Sequence, residues 1–208
     1  MSRHARVFLV RHADTVFTEQ GLIHGSLDSP LSEEGLRQSG LTAERLRGEN
    51  FDAFYSSPLG RAMATATIIG EAVDMKPIPV PGLAERDFGW MEGWPLPRAH
   101  SNALLSRLRL ILIRMNFALS GERRGDFEAR VAGALQMILN RHPDGRILTV
   151  THWGVLTMIM HLLVGGDWGQ WAKSADWSAC GISEIQRQDK HWQTVYLNDS
   201  RHLEREGN

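Results

Sequence analysis

The chain has 208 residues, of which 42% are hydrophobic and 23% charged, with a formal net charge of −1. That composition is ordinary for one soluble globular domain with room for a small insertion, and the near-neutral balance gives no reason to expect a nucleic acid or a membrane surface as partner. The single cysteine, Cys180, excludes an intrachain disulfide and a cysteine-only metal cage, and fits a reducing, cytoplasmic setting.

Arg6–Val10 reads as a first strand that stops at Arg11-His12. Arg3, His4 and Arg6 interrupt the N-terminal apolar residues, so no signal peptide is expected. Arg11 to Leu31 reads as a polar loop. Ser32 then suits an N-cap, with Glu33 and Glu34 where acidic residues favour a helix start. Leu36, Ala43 and Leu46 recur at helical spacing up to Gly48. Phe51–Tyr55 is a second strand, broken by Ser56-Ser57-Pro58, and an Ala- and Thr-rich helix follows over Leu59–Val73. Ile78–Val80, between prolines, is a short or edge strand. Leu83 to Trp94 is a glycine-containing loop.

Arg98–Met115 reads as a helix, apolar nearly all round. Asp126 suits an N-cap for a helix to Arg141, with Phe127, Val131, Leu135 and Ile138 on one face. Arg146–Thr151 is a fourth strand and Val155–Val164 a helix behind it, interrupted by His161 and too short to span a bilayer. Trp168 and Trp171 belong to a turn or short helix. Gly181–Arg187 and His191–Leu197 form a hairpin around Asp189-Lys190. The fold class is therefore α/β: a three-layer α/β/α sandwich with a mainly parallel sheet and one antiparallel strand. Residues 95–125 interrupt the alternation and read as a small helical cap inserted into a single 1–208 domain.

Ligands in open α/β sheets sit at the carboxyl ends of strands. Those ends present Arg11, His12 and Asp14, then Ser56, Ser57 and Arg61, then Glu85, Arg86 and Asp87, and finally His152. Two arginines, two histidines and a carboxylate suit an oxyanion with several negative charges, because the guanidinium fork matches phosphate. A histidine beside two guanidiniums is held neutral and can act as a nucleophile. A helix starting after His152 would add backbone donors. Bland alternatives stand beside these. Arg11-His12 alone is a polar pair at a sheet edge, His152 a satisfied core histidine, and Arg61 a solvated helix residue. Asp14 reads as a structural loop residue, His161 as buried structure, and His202 as a tie for the tail. Trp90, Trp94 and the apolar face of Arg98–Met115 read equally as core or as a pocket roof.

Taken in order, Val10-Arg11-His12-Ala13-Asp14-Thr15, Asp28-Ser29-Pro30-Leu31-Ser32-Glu33-Glu34-Gly35, Ser56-Ser57-Pro58-Leu59-Gly60-Arg61-Ala62, Leu83-Ala84-Glu85-Arg86-Asp87-Phe88-Gly89 with Glu92-Gly93, Gly121-Glu122 leading to Arg130-Val131, Thr151-His152-Trp153-Gly154 and Leu197-Asn198-Asp199-Ser200 resemble the histidine phosphatase superfamily, the phosphoglycerate-mutase-like proteins. The resemblance spans nearly the whole chain. It implies a phosphohistidine on His12, a phosphoryl clamp of Arg11 and Arg61, donation to the phosphoryl oxygens from His152, and a general acid at Glu85 with a raised pKa. It implies no cofactor and no metal.

The chain departs from the family pattern at three places: Ala13 replaces a glycine, Thr18 an asparagine, and His24 a glutamine or serine. Thr18, His24 and Gly25 are candidates for substrate contact. Phe88 stands where mutase-like members carry tyrosine, and Gly93-Trp94-Pro95-Leu96 offers no carboxylate-holding lysine. Arg86 matches a mutase-type residue, while Arg123-Arg124 lies in another context. The expectation is a metal-independent phosphatase acting on a small phosphorylated substrate. The alternatives are a phosphoglycerate-mutase-type phosphomutase, a metal-dependent hydrolase using His12, Asp14 and His152, and a non-catalytic phosphate-binding protein.

Overall fold

The structure is a computed structural model that describes residues 4–95, 112, 113, 115–117, 119–174 and 176–204. Its centre is a six-stranded sheet in the order β3-β2-β4-β1-β5-β6, where β1 is Arg6–Arg11, β2 Ala53–Ser56, β3 Ile78–Pro79, β4 Arg146–Thr151, β5 Ile182–Gln188 and β6 His191–Asp199. The pairs β1·β4, β2·β4 and β2·β3 are parallel. Strand β5 is antiparallel to β1 and to β6, so it alone runs against the rest. The expected sandwich is observed.

Side-chain alternation along the strands builds two cores. Val7 and Leu9 of β1 face a cluster with Phe127, Val131 and Ile138 of α4 (Arg124–Arg141) and Leu156 and Ile159 of α5 (Trp153–Leu163). Phe8 and Val10 face Ala43 and Leu46 of α2 (Glu33–Leu46) and Ala62, Ala66 and Ile69 of α3 (Gly60–Val73). Strands buried on both faces have no polar alternation, which is why β1 and β4 read as continuous apolar runs. Each fully buried Leu or Ile here contributes roughly 1.5–3 kcal/mol.

Several local readings need correction. The Arg11–Leu31 loop contains a one-turn helix, α1 (Val16–Gln20), closed by a capping box in which Thr15 caps the Thr18 backbone and Thr18 reaches back. Leu36 is exposed, because its position on α2 faces away from the sheet. Helix α4 begins at Arg124 with Arg123 as its cap, so Asp126 lies in the first turn, where its charge meets the positive end of the helix dipole. The loop Leu83–Trp94 is entered through a 3-10 turn, Pro81–Leu83, and contains another, Gly89–Met91. His161 is only partly buried, and its Nδ1–H donates to Gly166 O beyond the end of α5, at 2.7 Å. Trp168–Ser174 forms the short helix α6. His202 does hold the tail, through Nε2 to Thr42 Oγ1 at 3.0 Å. Most of the expected Arg98–Met115 helix, and with it most of the 95–125 cap, lies outside the described residues.

Candidate active site

Parallel register places the ends of β1, β2 and β4 side by side. Arg11 pairs with Thr151 and Ser56 with Val150. The next residue along β1 is His12, whose backbone N–H donates to Thr151 O at 2.8 Å. The next along β4 is His152, which caps α5 in extended conformation. The two imidazoles lie 5.0 Å apart, centroid to centroid. Both are buried, His12 at 5% exposure and His152 at 0%.

Hydrogen bonding sets the tautomers. His12 Nδ1 lies 2.8 Å from Ala13 O. A carbonyl only accepts, so Nδ1 carries the proton and Nε2 presents a lone pair. His152 Nε2 lies 2.7 Å from Ser57 Oγ. That hydroxyl also accepts from the Leu59 N–H at 3.2 Å and keeps one hydrogen that it can give to His152 Nε2. In that arrangement His152 Nδ1 is the protonated nitrogen; this atom is buried with no partner among the described residues. Burial first, then the charges of Arg61 and nearby groups, hold both histidines well below the ordinary imidazole range. Both are therefore neutral at pH 7.

The two arginines arrive by different routes. Arg11, the last residue of β1, donates from Nη1 to Trp177 O at 2.5 Å. Arg61, in the first turn of α3, is 1% exposed. Its Nη2 donates to Gly25 O at 2.7 Å, and its Nη1 to Leu27 O at 3.0 Å and Asp28 Oδ1 at 3.2 Å. Asp28 also accepts from the Gly60 and Arg61 backbone, capping α3 from a distant loop. The Nε atoms of Arg11 and Arg61, like His152 Nδ1, are buried donors without a protein partner among the described residues. Unsatisfied buried donors are uncommon, and two guanidinium Nε–H groups on residues that line one cavity suit an anion.

Glu85 follows the Pro81–Leu83 turn. Its Oε2 accepts from the Gly154 N–H at 2.9 Å and its Oε1 from the Arg86 N–H at 2.8 Å. One of the donors expected at the start of α5 is thus taken by Glu85. Burial raises the Glu85 carboxyl above the ordinary range, against those two N–H groups and the arginines. Arg11, His12, Arg61 and Glu85 line one cavity of about 490 Å³, with His24 and Gly25 on its rim. The His24 ring is 6.2 Å from that of His12, and burial lowers its pKa to about 4.

Thr18 does not line this cavity. Its hydroxyl is spent on the α1 capping box beside Thr15, whose Oγ1 in turn meets His24 Nε2 at 2.6 Å. Asp14 is turned to Gln38, accepting from Nε2 at 2.8 Å. Among the described residues no group of three or more His, Cys, Asp or Glu side chains could hold a metal ion.

Ser57, one of the strand-end residues, orients His152. Two further residues escape a strand-end reading, and of these Asp28 seats Arg61. Glu92 accepts from the backbone N–H groups of Ser26, Leu27 and Phe88, at 2.7, 2.8 and 2.9 Å, and so holds the loop that carries the Arg61 acceptors. Gly25 is required there, with φ at +58° and any Cβ only 2.0 Å from Glu92 Oε1.

The family model of the histidine phosphatase superfamily (branch 1) matches residues 7–200. A protein of Hydrogenobacter thermophilus named "Putative phosphoserine phosphatase 2" is 33% identical over 197 residues, which is 93% of this chain and 95% of that one. A Yersinia pestis protein named "Probable phosphoglycerate mutase GpmB" is 28% identical, over 90% of this chain and 87% of that one. Among solved structures, Bacillus stearothermophilus YhfR shares the fold, with a TM-score of 0.82 at 24% identity, covering 96% of this chain and all of the other. An Escherichia coli structure titled as a putative alpha-ribazole-5'-P phosphatase aligns with a TM-score of 0.79 at 26% identity, covering 94% and 97%. The chain belongs to the histidine phosphatase superfamily, branch 1.

Proposed function

We propose that this enzyme hydrolyses phosphate monoesters through a phosphohistidine on His12. The observation that carries the reading is the His12 Nδ1–H bond to Ala13 O, which leaves Nε2 as a neutral nucleophile at the floor of the cavity. In the first step Nε2 attacks phosphorus in line, the phosphorus–oxygen bond to the leaving group breaks, and protonated Glu85 gives its proton to the departing oxygen. In the second step Glu85 takes a proton from water, the hydroxyl attacks phosphorus, and the nitrogen–phosphorus bond breaks to release phosphate. Arg11, Arg61 and His152 donate to the phosphoryl oxygens in both steps, so the protein supplies position and charge rather than further covalent chemistry. His24 and Gly25 are placed to border the substrate, and Thr18 acts only through Thr15 and His24.

The mutase reading is favoured by the Yersinia relative's name. Against it, the outward cavity wall is apolar, and Arg86 is occupied by Glu122 O and stacked 3.9 Å from the centre of the Phe117 ring. The metal-dependent reading is disfavoured because Asp14 is bonded to Gln38. The test is rapid quenching after mixing with a 32P-labelled monoester. An acid-labile, base-stable phosphoenzyme is expected, absent in His12→Ala, with turnover that survives chelator. Loss of turnover on chelation, restored by a divalent ion, would overturn the reading. Phosphate moved within a phosphorylated three-carbon acid, rather than released, would assign the mutase.

A further inference from the structure

Beyond the phosphoryl site, the 490 Å³ cavity continues outward along Ile23, Met91 and Ile113. The same three side chains form one wall of a second cavity of about 260 Å³, whose other walls are Trp90, Trp94, Pro95 and Leu112. The two tryptophans meet edge to face, 6.0 Å apart, and are 44% and 54% exposed. Large aromatic side chains left open to solvent beside a catalytic cavity are unusual unless something covers them.

The contents of these walls limit what can cover them. Beyond His12 and Arg61 the cavity is lined by Ile23, Phe88, Met91 and Trp153, so a leaving group in it meets these side chains. The cations bordering the first cavity, Arg11 and Arg61, belong to the phosphoryl clamp, and no cationic side chain borders the second among the described residues. Glu92 is spent on backbone N–H groups, and Arg86 on Glu122 O. Among the described residues, a leaving group carrying a carboxylate or an ammonium would therefore be dehydrated against Ile, Met and Trp without a partner.

We infer that Ile23, Met91, Trp90 and Trp94 form a leaving-group subsite for an uncharged alkyl or aryl moiety, so that the substrates are apolar phosphate monoesters rather than phosphorylated amino or hydroxy acids. This rests on the phosphatase reading above.

An alkyl phosphate series from methyl to octyl tests it, because leaving-group chemistry is nearly constant along the chain. The ratio kcat/KM is expected to rise about fourfold per added methylene over the first several carbons, the value of one buried methylene. Propyl phosphate should exceed O-phosphoserine, which is similar in size but charged. In Trp94→Ala the octyl-to-methyl ratio should fall about tenfold, and Trp94→Phe should restore most of it, with circular dichroism confirming the fold of both variants. A flat series, or O-phosphoserine turned over better than propyl phosphate, would overturn the subsite while leaving the phosphatase reading intact. Absence of phosphate release from every ester would instead sink the phosphatase reading and this inference with it.

Discussion

Replacing Ser57 by alanine probes the least visible part of the site. His152 is fully buried, and Ser57 Oγ is the partner of its Nε2. Without the hydroxyl, Nε2 loses the donor that keeps it unprotonated. The imidazole can then move its proton to Nε2 and turn a lone pair, instead of an N–H, toward the phosphoryl oxygens. An unmatched buried polar atom costs about 1–3 kcal/mol. Removing one donor to a developing oxyanion costs about 10²- to 10³-fold in other enzymes. Because His152 itself remains, Ser57→Ala should sit at the low end: kcat/KM falls about 10- to 100-fold, less than in His152→Ala. Stability falls by about 1–3 kcal/mol, at about 2–4 °C of Tm per kcal/mol for a chain of this size. Ser57→Thr, which keeps the hydroxyl, should recover most of the activity. The direct assay is 15N-resolved NMR of the imidazoles. In the parent, His152 should show a protonated Nδ1 and a pyridine-like Nε2, and Ser57→Ala should lose that preference. A parent His152 protonated on Nε2, or an alanine variant with full kcat/KM, would refute the tautomer assignment.

The other predictions concern Gly25, Glu85 and the histidines. Gly25→Ala places a Cβ 2.0 Å from Glu92 Oε1 at a φ of +58°. The left-handed backbone alone costs roughly 1–2 kcal/mol, and displacing Glu92 frees the loop under Arg61. Denaturant unfolding should show a loss beyond about 2 kcal/mol, together with a raised KM. Glu85→Gln should slow alkyl phosphates by about 10²- to 10⁴-fold and spare aryl esters, whose leaving oxygen needs less help. In the parent, the carboxyl is held above its ordinary range. The acid form is therefore lost, and kcat/KM falls, as pH rises through that raised value, and the glutamine variant should lack this limb. His12, His24 and His152 are all held below the ordinary histidine value near 6.5, His24 at about 4. Below about pH 6.5 the unfolded chain binds more protons than the folded one, so stability should drop as pH falls toward 4. Urea midpoints at several pH values check this, and His24→Gln should flatten the slope.

The sheet was legible because β1 and β4 are buried on both faces, and burial on both faces leaves unbroken apolar runs that end at His12 and His152. Arg11, His12 and His152 stood out for the same reason, since each lies at or just beyond the end of β1 or β4, whereas Arg61 sits on helix α3 and Glu85 well beyond the exposed edge strand β3, and the family resemblance was needed to single these two out. What escaped depends on contacts between distant segments. Nothing local marks Asp28 as the cap of a helix that starts at Gly60, or Glu92 as the anchor of Ser26 and Leu27. Thr15 and Thr18 form a capping box without the usual Glu or Gln, so α1 stayed hidden in a polar loop. Thr18 was a candidate substrate contact because it stands where the family pattern has an asparagine, although its hydroxyl is engaged with Thr15 in its own helix cap. Asp126 looked like a cap because an aspartate in a first helical turn and one at the cap satisfy the same dipole.

Arg61 is held chiefly by two main-chain carbonyls, Gly25 O and Leu27 O. A carbonyl is the same whatever side chain its residue carries. His24, Ser26 and Leu27 can therefore change identity without unseating the guanidinium, provided Gly25 keeps its turn and Glu92 keeps its grip. Divergence in this loop can retune which phosphorylated substrates are accepted while the seat of Arg61 stays fixed, so a lineage could move from one substrate to another without passing through an inactive intermediate.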